Sequence, residues 1–137
     1  MNGYSSPKAL FNEASKTTQN YITKLDIKVS NIDSFVMNLS GGNQQKVVIA
    51  KWLAKNCKVL LFDEPTRGID VAAKAQIWKL ISEFTKEGCS VIVASNEIPE
   101  LINNCNRIIT MQKGLISNTF NYEDFDEQKI SLNISSK

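Results

Sequence analysis

Two short apolar runs, separated by a segment of helical periodicity, constrain the fold of this chain more than any other feature. The first run covers residues 58–62 and the second covers residues 90–95, SVIVAS. Between them, Asp70 can cap a helix that carries one apolar stripe and that Gly88 ends. Continuous apolar runs are typical of parallel strands buried on both faces. The pattern therefore predicts an α/β fold with a parallel crossover and two fully buried strands.

The other segments predict helices and one hairpin. Helical periodicity runs from Ser6 to about Leu25, and a second helix opens at Ser40-Gly41-Gly42 and ends near Lys55-Asn56. The segment 26–38 between these two helices is less regular. Farther along, the predicted elements are a short helix after Pro99, a hairpin of residues 107–111 and 115–120 around Lys113-Gly114, and a helix from Asp124 to Asn133. The buried side of the second helix is predicted to consist of Val47, Val48, Ile49, Trp52 and Leu53.

Composition excludes several classes of function. The chain of 137 residues contains no histidine, which removes Ser-His-Asp catalysis, Cys-His catalysis and histidine-ligated zinc. Its 16 basic and 14 acidic residues give a net charge of +2, so we expect no nucleic-acid partner. Cys57, Cys89 and Cys105 form no CxxC pair, which favours inert thiols in a reducing compartment. We expect no signal peptide, because the amino terminus is polar, and no membrane span, because the apolar runs are too short.

The first run ends in two adjacent carboxylates, Asp63 and Glu64. Ligands of open α/β sheets bind at the carboxyl ends of the strands. At that edge Asp63 can hold a magnesium ion, usually through water, and Glu64 can orient and deprotonate an attacking water. Two carboxylates can also simply end a strand and face solvent. The pattern by itself leaves both interpretations open.

The helix start at Ser40-Gly41-Gly42 is the second feature that carries chemistry. Glycines let backbone N–H groups approach a ligand, and the Ser40 hydroxyl adds a donor. Unpaired amides and the positive end of the helix dipole together favour a phosphate group. The alternative is an ordinary helix cap built from serine and glycine.

In this order, the motifs resemble the carboxy-terminal part of an ABC transporter ATP-binding domain. Leu39–Lys46, LSGGNQQK, matches the ABC signature, Val59–Glu64 matches the Walker B strand, and Ile69-Asp70 matches the D-loop. The spellings NQQK, EPTRGID and SNEIPEL are most similar to the second ATPase half of monosaccharide importers of the ribose and galactose type. The resemblance covers nearly the whole chain.

The resemblance implies an incomplete P-loop NTPase fold, with a parallel sheet, helices and the end of a helical subdomain. Residues 1–38 would end that subdomain, and residues 39–137 would form the core from the signature helix to the last element. The pattern GxxxxGK(S/T) does not occur, so we expect the P-loop strand to be absent. The family's switch histidine aligns with Asn96, which can donate a hydrogen bond but cannot carry a proton at neutral pH.

The resemblance also implies how the site residues divide between two nucleotides. Ser40, Gly41 and Gly42 would contact an ATP bound by a partner domain. Asp63 as a magnesium ligand, with Glu64 and Asn96 as catalytic residues, would serve an ATP held by this domain's own P-loop. The remaining residues assigned to nucleotide binding are Gln44 and Asp70. The chain would then hold half of two sites and complete neither.

The function implied is that of an ATP-hydrolysing segment of an ABC sugar importer, using ATP and Mg²⁺. Its partners would be a second nucleotide-binding half and membrane permease subunits, at the cytoplasmic face of the cell membrane. Without a Walker A motif we expect the chain alone to be inactive. The alternative is a non-catalytic binding or dimerisation module that keeps this part of the fold. Chromosome-maintenance ATPases also carry an LSGG signature, but their coiled-coil heptads are missing here.

Overall fold

A computed structural model of the chain describes residues 7–55 and 57–135. These residues form two compact units. The first unit comprises the residues up to Leu61 together with Pro65–Ile92, and the second unit comprises Phe62–Glu64 together with the residues from Val93 onward. Two positions named in the sequence predictions lie outside the described residues: Ser6, where the first helix is predicted to begin, and Asn56, near which the second is predicted to end. Among the residues that are described, no helix has the length and apolar content needed to cross a bilayer.

Helices and strands follow one another largely as the sequence predicts. The elements are α1 (Pro7–Lys24), α2 (Gly41–Leu53), β1 (Val59–Asp63), α3 (Val71–Lys86), β2 (Ser90–Ala94), α4 (Ile98–Asn104), β3 (Arg107–Gln112), β4 (Leu115–Asn121) and α5 (Glu127–Ser135). Within residues 7–55 and 57–135, two single 3-10 turns occur, at Val36–Asn38 and Tyr122–Asp124. The second of these turns replaces the predicted start of the last helix at Asp124.

Strands β1 and β2 are hydrogen-bonded neighbours. The Ser90 N–H donates to the Lys58 carbonyl at 2.9 Å, and the Glu64 N–H donates to the Ala94 carbonyl at 2.8 Å. Because these bonded pairs advance in the same direction along both strands, the pairing is parallel. The predicted α/β crossover, with α3 connecting parallel strands, is confirmed.

The prediction that β1 and β2 are buried on both faces is wrong. Leu60 and Phe62 are buried, whereas Val59 and Leu61 are 59% and 72% exposed. On β2, Ile92 is 57% exposed. The described part of the chain therefore covers only one face of these apolar strands, and the other face is in contact with solvent.

Helix α3 supplies most of the core of the first unit. Its predicted stripe consists of Ala73, Ile77, Leu80, Ile81 and Phe84. The last four are buried as predicted, whereas Ala73 is half-buried. Asp70 caps the helix by accepting a hydrogen bond from the Ala73 N–H at 2.9 Å. The other buried apolar residues of this unit are Leu25, Ile27, Ile49, Leu60 and Trp78.

Helix α2 buries a narrower side than predicted. Gly42, Lys46 and Ile49 are its buried residues and follow a spacing of four and three, which places them on one stripe. Val48 and Trp52 lie off this stripe and are 46% and 45% exposed, so the prediction that they are buried is wrong.

The second unit is built on a hairpin. Strands β3 and β4 pair antiparallel, with Gln112 opposite Leu115 across the predicted turn. Lys113 and Gly114 both have positive φ, 50° and 80°, as a two-residue type I′ turn requires. Residues from β3, β4 and α5 form the core, with α4 packed against it: Ile108, Phe120 and Ile130 are buried, and Ile98, Leu101, Ile102, Cys105 and Phe125 pack on them.

Candidate functional site

The predicted amide-rich turn lies at the start of α2 and is accessible. Ser40 is the N-cap residue in an extended conformation, with φ −60° and ψ 154°. The helix begins with the Gln44 N–H donating to the Ser40 carbonyl at 2.9 Å. The amides that precede Gln44 have no carbonyl partner within an α-helix. Ser40 and Gly41 are exposed, so this end of the helix dipole meets solvent.

The two glycines of the turn differ in their surroundings. Gly42 is buried, and a Cβ added there would lie only 2.7 Å from the Cβ of Ala73. A Cβ on Gly41 would lie 3.5 Å from Cγ2 of Ile69, which is an ordinary contact. Glycine at position 42 therefore allows α2 to approach α3, whereas packing does not require glycine at position 41.

The D-loop match, Ile69-Asp70, lies beside the signature turn within the first unit. A Cβ added to Gly41 would lie nearest to Ile69, and a Cβ added to Gly42 would lie nearest to Ala73. The Asp70 carboxylate is already used to cap α3. The nucleotide contact that the resemblance implies for Asp70 would therefore use its second carboxylate oxygen or the backbone near it.

Gln44 is one of the residues to which the resemblance gives a nucleotide contact, and its side chain donates to backbone carbonyls in this structure. Its Nε2 donates to the carbonyls of Leu39 at 2.8 Å and Met37 at 3.4 Å. The side-chain amide thus holds the 3-10 turn that leads into the signature. The resemblance implies a nucleotide contact for Gln44 because of its place in the motif, and that place does not determine where the side chain points.

Asn43, to which the motifs gave no role, links the signature turn to the segment after α1. Its Nδ2 donates to Ser40 Oγ at 2.9 Å, and its Oδ1 accepts from the Lys28 N–H at 2.9 Å. The Ser40 hydroxyl makes no capping bond to the helix. A polar side chain three residues after the N-cap was the available signal, because that position can reach back to the cap.

Lys46 anchors the signature helix to the chain that follows α1. It is only 4% exposed, and its Nζ donates to the Asp26 carbonyl at 2.8 Å. Burial lowers the pKa of the Lys46 ammonium, while the negative charge of Asp26 acts in the opposite direction. Asp26 has a φ of 49°, which turns the chain at this point. Its own carboxylate accepts from Lys28 Nζ at 2.6 Å, and this hydrogen bond lowers the pKa of Asp26.

Within the second unit, Glu64 and Asn96 are brought together through the backbone of Asn96. The Asn96 N–H donates to Glu64 Oε1 at 3.1 Å, and Ser95 Oγ lies 3.5 Å from Oε2. Ser95 Oγ also accepts from the Glu97 N–H at 3.1 Å. The carboxylate predicted to be the general base is therefore fixed by the loop after β2. Ser95 was not predicted, since no motif assigned a role to its hydroxyl.

Glu64 has a φ of 48°, in the left-handed region that side chains rarely adopt. Such conformations persist where the surrounding structure holds them, and they are frequent at functional positions. Here the Glu64 N–H bond to Ala94 and the two contacts to its carboxylate act as that support.

Asp63 is exposed at the end of β1. In the ranges 7–55 and 57–135, no group of three or more Cys, Asp or Glu side chains is arranged to hold a metal. A single exposed carboxylate nevertheless fits magnesium, which keeps several waters and takes its other ligands from phosphates. It does not fit a metal that needs a full set of protein ligands.

Comparisons with known proteins agree with these motifs. A sequence model of the ABC transporter family matches residues 4–67. The ribose import ATP-binding protein RbsA of Clostridium perfringens (strain SM101 / Type A) is 44% identical over 118 residues, which are 86% of this chain and 24% of that protein. The xylose import ATP-binding protein XylG of Thermoanaerobacter pseudethanolicus is 48% identical over 115 residues, which are 84% of this chain and 23% of that protein.

A solved structure shows the same fold. It is the dimeric, post-hydrolysis ATP-binding cassette MJ0796 bound to ADP and phosphate, with a TM-score of 0.73 and 25% identity. The match covers 91% of this chain and 52% of that cassette. The chain thus spans about a quarter of the curated relatives and about half of one cassette.

Proposed function

Because the chain belongs to the ABC transporter ATP-binding family, we propose that it forms part of the ATP-hydrolysing machinery of a sugar importer. The observation that carries the proposal is the accessible helix start at Ser40 and Gly41, with the D-loop match Ile69-Asp70 beside it. The relatives that are 44% and 48% identical are import proteins for ribose and xylose, which supports a monosaccharide as the transported solute.

The signature turn would act on an ATP that a second cassette binds. About half a positive charge collects at a helix N-terminus, where the amides of Gly41 and Gly42 lie. A triphosphate that approaches this end would be stabilised by those amides and by the Ser40 hydroxyl. The dimeric state of the related cassette supports a two-cassette arrangement.

The residues at the end of β1 would act on an ATP held by the domain's own P-loop. Asp63 would hold Mg²⁺, which supplies charge neutralisation at the phosphates when bound. Glu64 would accept a proton from the attacking water, and the Asn96 N–H keeps its carboxylate in place. Asn96 itself can donate a hydrogen bond but cannot relay a proton.

The remaining elements of the proposal follow from this division of the site. The ligands are ATP and Mg²⁺, and the partners are a second nucleotide-binding half and membrane permease subunits, with no nucleic acid. The protein would act at the cytoplasmic face of the membrane. Residues 1–38 would belong to the helical subdomain, and residues 39–137 would belong to the core.

The first experiment tests the half-site arrangement. In a titration of this chain alone with ATP and Mg²⁺, we expect binding weaker than millimolar, because each site lacks the groups of the other partner. Millimolar or tighter binding would contradict the proposal that each nucleotide needs a second polypeptide segment.

The second experiment tests catalysis in the assembled importer that contains this segment. Glu64→Gln keeps an acceptor for the Asn96 N–H but removes the base, so we expect ATP to be trapped and turnover to fall by a factor of about 100 or more. Glu123→Gln, at an exposed position in the 3-10 turn before α5, serves as the control. Unchanged turnover in Glu64→Gln would favour the alternative, a non-catalytic dimerisation module. The observation that favours this alternative is Asn96, which cannot carry a proton.

A further inference from the structure

We propose that Asn43 is a positioning residue that orients the Ser40 hydroxyl toward the nucleotide. The inference rests on the proposed function of the signature turn. Asn43 is half-buried and lies one turn into α2, and its two side-chain atoms bridge separate parts of the chain. Oδ1 accepts from the Lys28 N–H, and Nδ2 donates to Ser40 Oγ, both at 2.9 Å.

The orientation of the Asn43 amide is fixed by chemistry. The Lys28 N–H can only donate, so it must face the oxygen of the amide and not its nitrogen. The nitrogen then faces Ser40, and the serine oxygen must accept that bond. The opposite orientation of the amide would place two donors against each other at Lys28.

This arrangement determines what the Ser40 hydroxyl can do. Because its oxygen already accepts from Asn43, its own hydrogen is left to donate elsewhere. In the described part of the chain it makes no capping bond to α2, and Ser40 is exposed. With one lone pair of its oxygen bonded to Asn43, the hydroxyl of exposed Ser40 keeps its hydrogen for donation, and an anionic oxygen is the ligand that such a donor suits.

Asn43 also connects the turn to the segment after α1. Lys28 lies in the same stretch as Asp26, whose carbonyl accepts from buried Lys46 of α2. The signature helix is therefore held to this stretch by two side chains of its own, one of which reaches Ser40. A change in the stretch at Lys28 would be transmitted to the Ser40 hydroxyl through Asn43.

The test is a titration of the full chain with sodium tripolyphosphate, carried above millimolar concentration because a half-site is expected to bind weakly. Binding is monitored through the amide chemical shifts of Gly41 and Gly42. Sodium sulfate at the same ionic strength is the control for salt. Asn43→Asp keeps the acceptor for Lys28 but loses the donor to Ser40, so we expect apparent affinity to fall at least tenfold. Gln45→Glu places the same added charge on a neighbouring residue without touching Ser40, and we expect a fall of threefold at most.

A double-variant comparison separates positioning from general structural damage. Ser40→Ala should weaken binding in the wild-type background and cause no further loss in the Asn43→Asp background, because the hydroxyl is then no longer directed. If Asn43→Asp does not fold, Asn43→Ala takes its place in the same comparison. Equal losses in Asn43→Asp and Gln45→Glu, or additive losses with Ser40→Ala, would overturn the inference. A wild-type chain whose Gly41 and Gly42 shifts respond no more to tripolyphosphate than to sulfate would instead reject the proposed function of the turn, and the inference with it.

Discussion

At the scale of single residues, we expect replacement by alanine to have different effects on stability at the two adjacent glycines of the signature turn. Gly42→Ala would place a Cβ 2.7 Å from that of Ala73, so α2 and α3 must move apart. We expect the free energy of unfolding to fall by about 1–3 kcal/mol. Gly41→Ala meets only an ordinary contact at 3.5 Å, and we expect stability to be unchanged or raised by up to about 1 kcal/mol. Urea unfolding of both variants checks this, and equal destabilisation would show that position 42 is not closely packed.

Lys46 gives a prediction for the alkaline pH range. Burial lowers the pKa of its ammonium below 10.5. Between this lowered pKa and 10.5, the amine is more often protonated in the unfolded chain than in the folded one. Stability contributed by this group therefore rises as the pH increases through that interval. Burial raises the pKa of the Cys105 thiol above 9.0, which has the opposite effect.

These two effects are separable by substitution. In a Cys105→Ala background, the free energy of unfolding should rise with pH toward 10.5, and Lys46→Met should remove that rise. Unfolding by urea at a series of pH values is the measurement. An identical pH dependence with and without Lys46 would mean that the amine is as well solvated in the folded chain as in the unfolded one.

Residue types and spacing were sufficient to predict some roles and not others. The capping role of Asp70 follows from its position before an apolar stripe, and the structure confirms it. The directions of Gln44 and Asn43 could not be predicted, because both amides lie in one helical turn and either can reach a ligand or the backbone. That choice depends on the carbonyls and N–H groups that tertiary folding brings near, such as the N–H of Lys28.

At the scale of elements, the alternation of β1 between buried and exposed side chains gives a matched pair of substitutions. Leu60 is 5% exposed and Leu61 is 72% exposed. We expect Leu60→Ala to lower the free energy of unfolding by about 2–5 kcal/mol. Leu61→Ala should change it by no more than about 0.5 kcal/mol. Comparable losses at both positions, measured by urea unfolding, would indicate that the second face of the strand is covered after all.

The same strand shows why element positions were predictable and burial was not. Runs of apolar residues, caps and turn residues are local features, and they located β1, α3, β2 and the hairpin of β3 and β4. Burial depends on what lies against a face, and an apolar strand is equally consistent with one covered face or two. The off-stripe positions of Val48 and Trp52 on α2 have a similar origin, since the approach of Gly42 to Ala73 determines which side of the helix turns inward.

At the scale of the whole molecule, both sheets have only two strands in the described residues, so each strand keeps one unpaired edge. Open edges and exposed apolar faces favour association with other chains. We therefore expect the isolated chain to be oligomeric or poorly soluble. Sedimentation velocity at several concentrations is the measurement, and a stable monomer at all of them would contradict the prediction.

The exposed face of the first unit can be tested in the same experiment. Leu61→Lys and Ile92→Lys place charges on exposed positions of β1 and β2 and should shift the distribution toward smaller species. Lys79→Glu, at an exposed position of α3, is the control for a change in surface charge. If the distribution is unaltered when Leu61→Lys and Ile92→Lys are combined in one chain, association occurs through another surface.

The turn at Lys113 and Gly114 has a consequence for the order of folding. Its two residues already adopt the twist that the flanking strands need, so β3 and β4 can meet after closure of a very short loop. Hairpins of this kind form in about 1–10 μs. The partners Glu64 and Ala94 of the parallel pair must instead wait for α3 between them to be ordered, which makes their encounter slower. Folding would thus begin near the carboxyl-terminal hairpin, and the strand ends that carry the carboxylates would be among the last parts to become fixed.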